Sequence, residues 1–271
     1  MLRKLIKHEF HATGRTMLPL YLILLLTAAG SNIAGRWMLD SQIFAVSLLG
    51  GLIIFAFIIA IFAVFVEAFW LMIQRFYKNL LQDEGYLMMT LPVSVHQHVW
   101  AKLTVSAVWF LATISAVILA SMIVAYDVHI FQEFFHLIGD IFRVLQKLKI
   151  SEAFNGTVII IEGLALIFLA LAAFSLQFYA ALAMGHSMAN HKMVWSVGCF
   201  FGFQFAVQFV GSLLLVSLSK MRLFRFLNNW DPEPIVAVHV GLLMAIGLVV
   251  IYGTIFYIVT IFFLKKRLNL E

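Results

Sequence analysis

The sequence predicts an all-α polytopic membrane protein with six transmembrane helices. Three observations lead there. Hydrophobic residues make up 63% of the chain and charged residues 11%, against roughly 45–50% and roughly 25% in ordinary globular proteins. A soluble fold of 271 residues leaves too many side chains facing water to hide that much apolar surface, and disorder needs the opposite composition. Six stretches are long and apolar enough to cross a hydrocarbon core of about 30 Å, which takes about 20 residues of helix. In lipid every backbone group must be satisfied within the segment, and these runs are far too long for barrel strands, so each is a helix.

The elements follow in order. Residues 1–16 place Leu2, Leu5, Ile6 and Phe10 near one face and Arg3, Lys4, Lys7, His8 and His11 around the other. This predicts a basic amphipathic helix lying in the inner interface of the bilayer. Plain anchoring is one reading of it. Residues 17–34 form the first span. The basic start and the run ending in Thr27-Ala28-Ala29-Gly30 also fit a signal peptide, but the long, patterned basic segment favours a retained span. The second span covers 43–73 and is long enough to tilt or protrude. The third covers 99–125. Between the third and fourth, residues 126–157 form an outer segment. In it Phe131, Phe134, Phe135, Ile138, Ile141, Phe142, Leu145 and Leu148 recur at helical spacing opposite Glu133, Asp140, Arg143 and Lys147.

The fourth span covers 158–184 and the fifth 194–218. The fifth carries Gly198 and Gly202 at a spacing that lets helices approach closely. Residues 220–229 mix Lys220, Arg222 and Arg225 with apolar residues, as a short interfacial or re-entrant outer helix would. Asp231-Pro232-Glu233-Pro234 then opens the sixth span, 235–264, with proline tolerated in its first turn.

Orientation follows from the basic residues. With the N-terminus inside, Arg3, Lys4, Lys7, Arg15, Arg75, Lys78, Lys102, Lys192, Lys265, Lys266 and Arg267 lie on the inner side. Arg36, Arg143, Lys147, Lys149, Lys220, Arg222 and Arg225 lie outside, so the split is eleven against seven. Both termini are expected to be cytoplasmic.

Several chemistries lack their residues. No lysine follows the glycine spacing of a phosphate-cradling loop. Neither the His-Glu-x-x-His of a zinc protease nor the Gly-x-Ser-x-Gly of a serine hydrolase occurs. His96 with His98, and His186 with His191, have no acid at a sensible spacing for a metal. The single cysteine, Cys199, forms no intrachain disulfide. The chain is therefore expected not to be an enzyme, to hold no metal or cofactor, and to have the bilayer rather than nucleic acid as its surroundings. Glu67 and Glu162 lie inside spans, where a bare charge is expensive. Glu67, with Phe69 and Trp70 beside it, is a candidate for lining an inner cavity or for pairing with a base such as Arg75. Hydration near an interface is the other reading, and for Glu162 the stronger one. The 27 Phe and 12 Met suit a soft cavity for an apolar or amphipathic substrate, or simply lipid-facing bulk.

Residues 74–98 carry the most specific pattern. Asp83 to Thr90 fits a short helix with Asp83 and Glu84 at its start, where the helix dipole favours them. Leu91-Pro92 ends it, since a residue before proline avoids the helical region, and Pro92-Val93-Ser94 leads into the third span. Such a segment is the right shape to take force from a cytoplasmic partner. As an alternative, Lys78, Asp83 and Glu84 form an ordinary solvated face.

The run Glu84-Gly85-Tyr86-Leu87-Met88-Met89-Thr90-Leu91-Pro92-Val93-Ser94, followed by Lys102-Leu103, resembles the corresponding segment of ABC-2-type transporter permeases. The likeness is specific over about 20 residues, and the layout of interfacial helix plus six spans is similar throughout. The resemblance implies a type II ABC exporter (ABC-2) fold in a bacterial plasma membrane and a homodimer of two permease copies. It implies that Asp83, Glu84, Gly85, Tyr86, Leu87, Met88, Leu91 and Pro92 form a coupling helix docked on a separate ATP-binding cassette subunit, which holds the ATP and Mg. The short segment with His186 and His191 would be the second contact. Permeases of this kind export amphipathic peptides, among them cytolytic and antimicrobial ones, or hydrophobic substrates such as drugs and lipids; a structural or regulatory membrane protein that transports nothing is the alternative reading of the chain.

Overall fold

The computed structural model describes residues 2–82, 85, 90, 92–125, 136, 139, 150–188, 190–219 and 233–266. Among these no strand occurs. The helices are α1 (Leu2–Ile33), a five-residue π-helix (Ala34–Met38), α2 (Phe44–Leu81), α3 (Val95–Val124), α4 (Ile150–Gly185), α5 (Lys192–Ser219) and α6 (Pro234–Lys266). All six α-helices contain a stretch long and apolar enough to cross a membrane, so the chain is an all-helical, multi-pass membrane protein.

Helix ends differ from the expected spans in a consistent way. α1 is one helix of 32 residues, about 48 Å long, with no break between 1–16 and 17–34. A change of surroundings need not change φ and ψ, so an interfacial segment and a span join without a turn. α2 likewise runs eight residues past the expected 73, and α3 starts four before the expected 99. Residues 150–157, expected in the outer segment, are the first turns of α4. The rest of the outer segment, apart from His136 and Gly139, and the 220–229 segment lie outside the described residues. Two helix starts follow their local chemistry. Ser94 precedes α3, and its carbonyl accepts from Gln97 N at 2.9 Å. Glu233 accepts from Ala237 N at 3.0 Å, with Pro234 as the first residue of α6.

The chain divides into two compact units. The first joins Met1–Met72 with Trp100–Phe154, and the second joins Ile73–Val99 with Asn155–Glu271. In the first unit Leu24 and Ala28 of α1, Phe57, Ala60 and Val64 of α2 and Ala120 of α3 form a buried apolar cluster. The small alanines let three helices close on one another. On one side of this cluster Ser31 Oγ donates to the Ile53 carbonyl at 3.3 Å, and Asn32 Nδ2 donates to that of Val124 at 3.0 Å.

The other part of the α1–α3 contact is polar. Lys102 Nζ donates to Glu9 Oε1 at 2.6 Å, with side chains 2% and 8% exposed. One turn on, Thr13 donates to the Glu9 carbonyl at 2.7 Å and accepts from Trp109 Nε1 at 2.7 Å. Another two turns on, the Tyr21 and Thr113 hydroxyls meet at 2.9 Å. Sequence does not single out Glu9, and it marks Lys102 only as an inner basic residue and as part of the Lys102-Leu103 pair that opens the third span. A signal was nonetheless present. Glu9 is the sole acid before Asp40, and it has no base three or four positions away on its own helix.

In the second unit aromatic rings carry much of the packing. Phe76 and Tyr179, both fully buried, stack at 4.1 Å and 7°. Phe178 stacks on Phe200 at 4.3 Å, and Phe203 meets Phe256 edge-on at 5.3 Å. A polar chain links three helices, with Tyr252 donating to Gln177 Oε1 at 2.6 Å and Gln177 Nε2 to Gln204 Oε1 at 3.1 Å. Gly185 abuts Ser196 so closely that a β-carbon there would overlap its backbone nitrogen and hydroxyl.

Removing one partner of a buried ion pair leaves an uncompensated charge, which costs about 3–5 kcal/mol. Glu9→Ala is therefore expected to destabilise the protein by about that much. Joining it with Lys102→Met should recover most of the loss. Thermal unfolding of the purified protein in a double-mutant cycle measures both, and a strictly additive pair of losses would mean the contact contributes nothing.

Candidate functional site

The sequence singles out the connections 74–98 and 185–192, and the second unit contains both. Residues 74–81 are the last two turns of α2. They carry Phe76 and Tyr77 toward α4 and the turn that follows it. His186 sits just past the end of α4, 3% exposed, with its ring edge-on to Tyr77 at 5.0 Å and 73°. The Leu182 carbonyl accepts from the His186 amide at 3.0 Å and from its Nδ1 at 3.1 Å, so the imidazole proton sits on Nδ1. Burial holds the His186 pKa below the ordinary histidine value. The backbone bond to Leu182 opposes this, and the nearby Lys192 charge adds to it. His191 is exposed and has φ of 54°, an uncommon left-handed conformation for a residue other than glycine. It reverses the chain into α5. The two histidines are therefore unlike: His186 is packed inside, and His191 is a turn residue at the surface.

Of the residues in the 83–92 stretch, Asp83, Glu84, Tyr86, Leu87, Met88 and Leu91 lie outside the described residues. Gly85 is buried, its amide donates to the Gln82 carbonyl at 2.7 Å, and a β-carbon on it would stand 2.7 Å from the Leu80 carbonyl oxygen. Only glycine fits that approach. Pro92 is exposed.

The start of α3 is tied to the end of α6. His96 Nδ1 lies 2.6 Å from Tyr257 Oη and Nε2 lies 2.9 Å from Lys265 Nζ. An ammonium only donates, so Nε2 accepts and Nδ1–H donates to the tyrosine oxygen. Both ring nitrogens are engaged, which leaves neither for a metal. The sequence named His96 only as a weak metal ligand. Tyr77, Tyr179, Tyr257 and Lys265 drew no attention as contact residues, because partners far apart in the chain leave no periodic trace.

Within the spans, Glu67 is half-buried, and among the described residues it makes no ion pair with Arg75. Eight residues of helix separate the two by about 12 Å, too far to bridge. Trp70, 55% exposed, shares a face with Glu67, whereas the half-buried Phe69 lies around the helix from both. Glu162, expected to be hydrated near an interface, instead has a partner: His239 Nδ1 lies 2.9 Å from its Oε2, with side chains 20% and 14% exposed. Both residues lie four positions into the expected fourth and sixth spans, 158–184 and 235–264, and that shared depth was the available signal.

The arrangement is that of a multi-pass helical membrane protein in which the end of α2 packs on α4 and the turn after it through aromatic rings and His186, and the start of α3 is hydrogen-bonded to the end of α6 through His96. Comparison of the chain with protein-family models, with curated proteins and with solved structures finds no match.

Two outcomes are expected. The pH dependence has a definite sign. Above about 6.5, the ordinary histidine value, His186 is neutral in both folded and unfolded chains and titrates in neither. Below it, the unfolded chain takes up a proton that the folded one resists, so stability falls as pH drops toward the lowered folded value. Melting temperatures between pH 7.5 and 5 should decline, and His186→Gln should flatten that decline. Separately, Gly85→Ala is expected to destabilise by about 1–3 kcal/mol, with faster hydrogen exchange confined to 73–99. Unchanged exchange there would remove the steric role of Gly85.

Proposed function

We propose that this chain is the membrane-spanning subunit of an ATP-driven exporter of the ABC-2 type. Two copies work with separate ATP-binding cassette subunits, which hold the ATP and Mg and do the hydrolysis. The cargo is an amphipathic or hydrophobic molecule, with an amphipathic peptide as the best fit, moved out across a bacterial plasma membrane from a cytoplasmic-facing connection surface.

One observation carries the reading. The end of α2 and the turn after α4 touch through Tyr77 and His186, and the adjacent Phe76 stacks flat on Tyr179 of α4. A load applied to either connection therefore reaches a span through buried rings rather than through a loose loop. Close-packed rings give under load only by repacking, since protein interiors have little free volume. Ring contacts between Phe178 and Phe200 and between Phe203 and Phe256 make the helix packing of the second unit soft and aromatic, which suits an amphipathic cargo.

The test uses the full-length protein in its own membranes. With Cys199→Ser as background, His191→Cys is treated with a bifunctional thiol crosslinker. An ATP-binding subunit should be captured, and the yield should change with nucleotide. Tyr77→Ala should lower export relative to ATP hydrolysis by about threefold to thirtyfold with membrane insertion unchanged. Capture of no nucleotide-binding subunit, or full coupling in Tyr77→Ala, overturns the proposal.

A further inference from the structure

α1 carries a feature that export does not use. Its first half holds Arg3, Lys4, Lys7 and Arg15, all exposed, and one acid, Glu9. That acid is turned inward and neutralised by Lys102. No carboxylate among the described residues pairs with Arg15. Its contact is His11, whose Nε2 accepts from Arg15 Nη2 at 3.2 Å. This one bond leaves the guanidinium four further N–H donors, while holding it in place over the helix surface.

Beside this pair lies a groove of about 370 Å³ lined by Phe10, His11, Gly14, Arg15, Leu18 and Pro19. Gly14 is its floor. The glycine lies against the Trp109 indole, and nothing projects from it into the groove. One end of the groove is cationic and the other apolar. Leu18 is 63% exposed, which suits hydrocarbon and not water. Trp109 is of the residue type that gathers at headgroup level. The groove thus sits where a helix passes from the headgroup region into the acyl region.

We propose that this groove binds an anionic phospholipid. The phosphate is held by Arg15 and His11, and the start of an acyl chain lies on Phe10, Leu18 and Pro19. A guanidinium with spare donors matches a phosphate diester in charge and geometry. The apolar half then distinguishes a lipid from free phosphate. The Arg15 charge, which no carboxylate among the described residues offsets, favours an anionic headgroup over a zwitterionic one.

The experiment measures lipid binding to the purified full-length protein by native mass spectrometry, with phosphatidylglycerol and phosphatidylcholine as probes and glycerol phosphate as competitor. Phosphatidylglycerol should bind at least about tenfold more tightly than phosphatidylcholine, and Arg15→Gln should weaken it about tenfold. Leu18→Trp, which fills the groove from an exposed position, should weaken both lipids. It also keeps the proposal testable if Arg15→Gln fails to fold. Lys4→Gln, on the same basic face but outside the groove, should have little effect. Equal losses in Lys4→Gln and Arg15→Gln would mean general attraction to an anionic surface and overturn the site. So would equal binding of the two lipids, or displacement by glycerol phosphate alone.

Discussion

Hydrocarbon offers no water to a polar group, and the placement of polar side chains follows from that lack. In the first unit Glu9, Lys102, Thr13 and Trp109 satisfy one another. In the second unit Tyr252, Gln177 and Gln204 form one chain, and Glu162 and His239 form another pair. Every one of these groups joins different helices. Lipid tails are as apolar as leucine, so burying apolar surface does not by itself choose which helix faces meet. Unsatisfied amides, carboxylates and ammonium groups do choose, because each is costly until it finds its partner. The polar groups therefore act as registry marks, and the alanines and aromatic rings between them fill the space that registry leaves.

This division explains what was legible in the sequence. Six spans could be read because hydropathy reports the bilayer, and the bilayer demands helices of a minimum length. Helix ends were less legible. Residues 2–33 look like two segments by charge and are one helix by backbone, since a solvent boundary does not break an i to i−4 bond. The local starts at Ser94 and Pro234 were readable because capping chemistry acts over only three or four residues.

Pairings were the least legible part. Glu9 is conspicuous as a lone acid, but its lysine lies 93 positions away, and no periodicity encodes that distance. Arg75 looked like a partner for Glu67 because it was near in sequence, and helical rise defeats the pairing. The same limit applies to the candidate surface. Gly85 stands out within its motif, and its reason is a steric contact with the Leu80 carbonyl that only a structure reveals. Tyr77 stands out in no way until His186 is set beside it.

The two kinds of link in the second unit also differ in what they transmit. The Phe76–Tyr179 stack is dry, and van der Waals contact is insensitive to pH and salt. The His96–Tyr257–Lys265 chain is partly exposed and directional, with the ring accepting from the ammonium at Nε2 and donating to the tyrosine oxygen at Nδ1. One end of α3 is thus attached to α6 by directional hydrogen bonds, while the end of α2 is attached to α4 by a flat ring stack. If a motor grips the connection between them, as proposed, the load divides unequally. The stack carries displacement into α4 by direct contact, whereas the share reaching α6 passes through two hydrogen bonds at a single histidine.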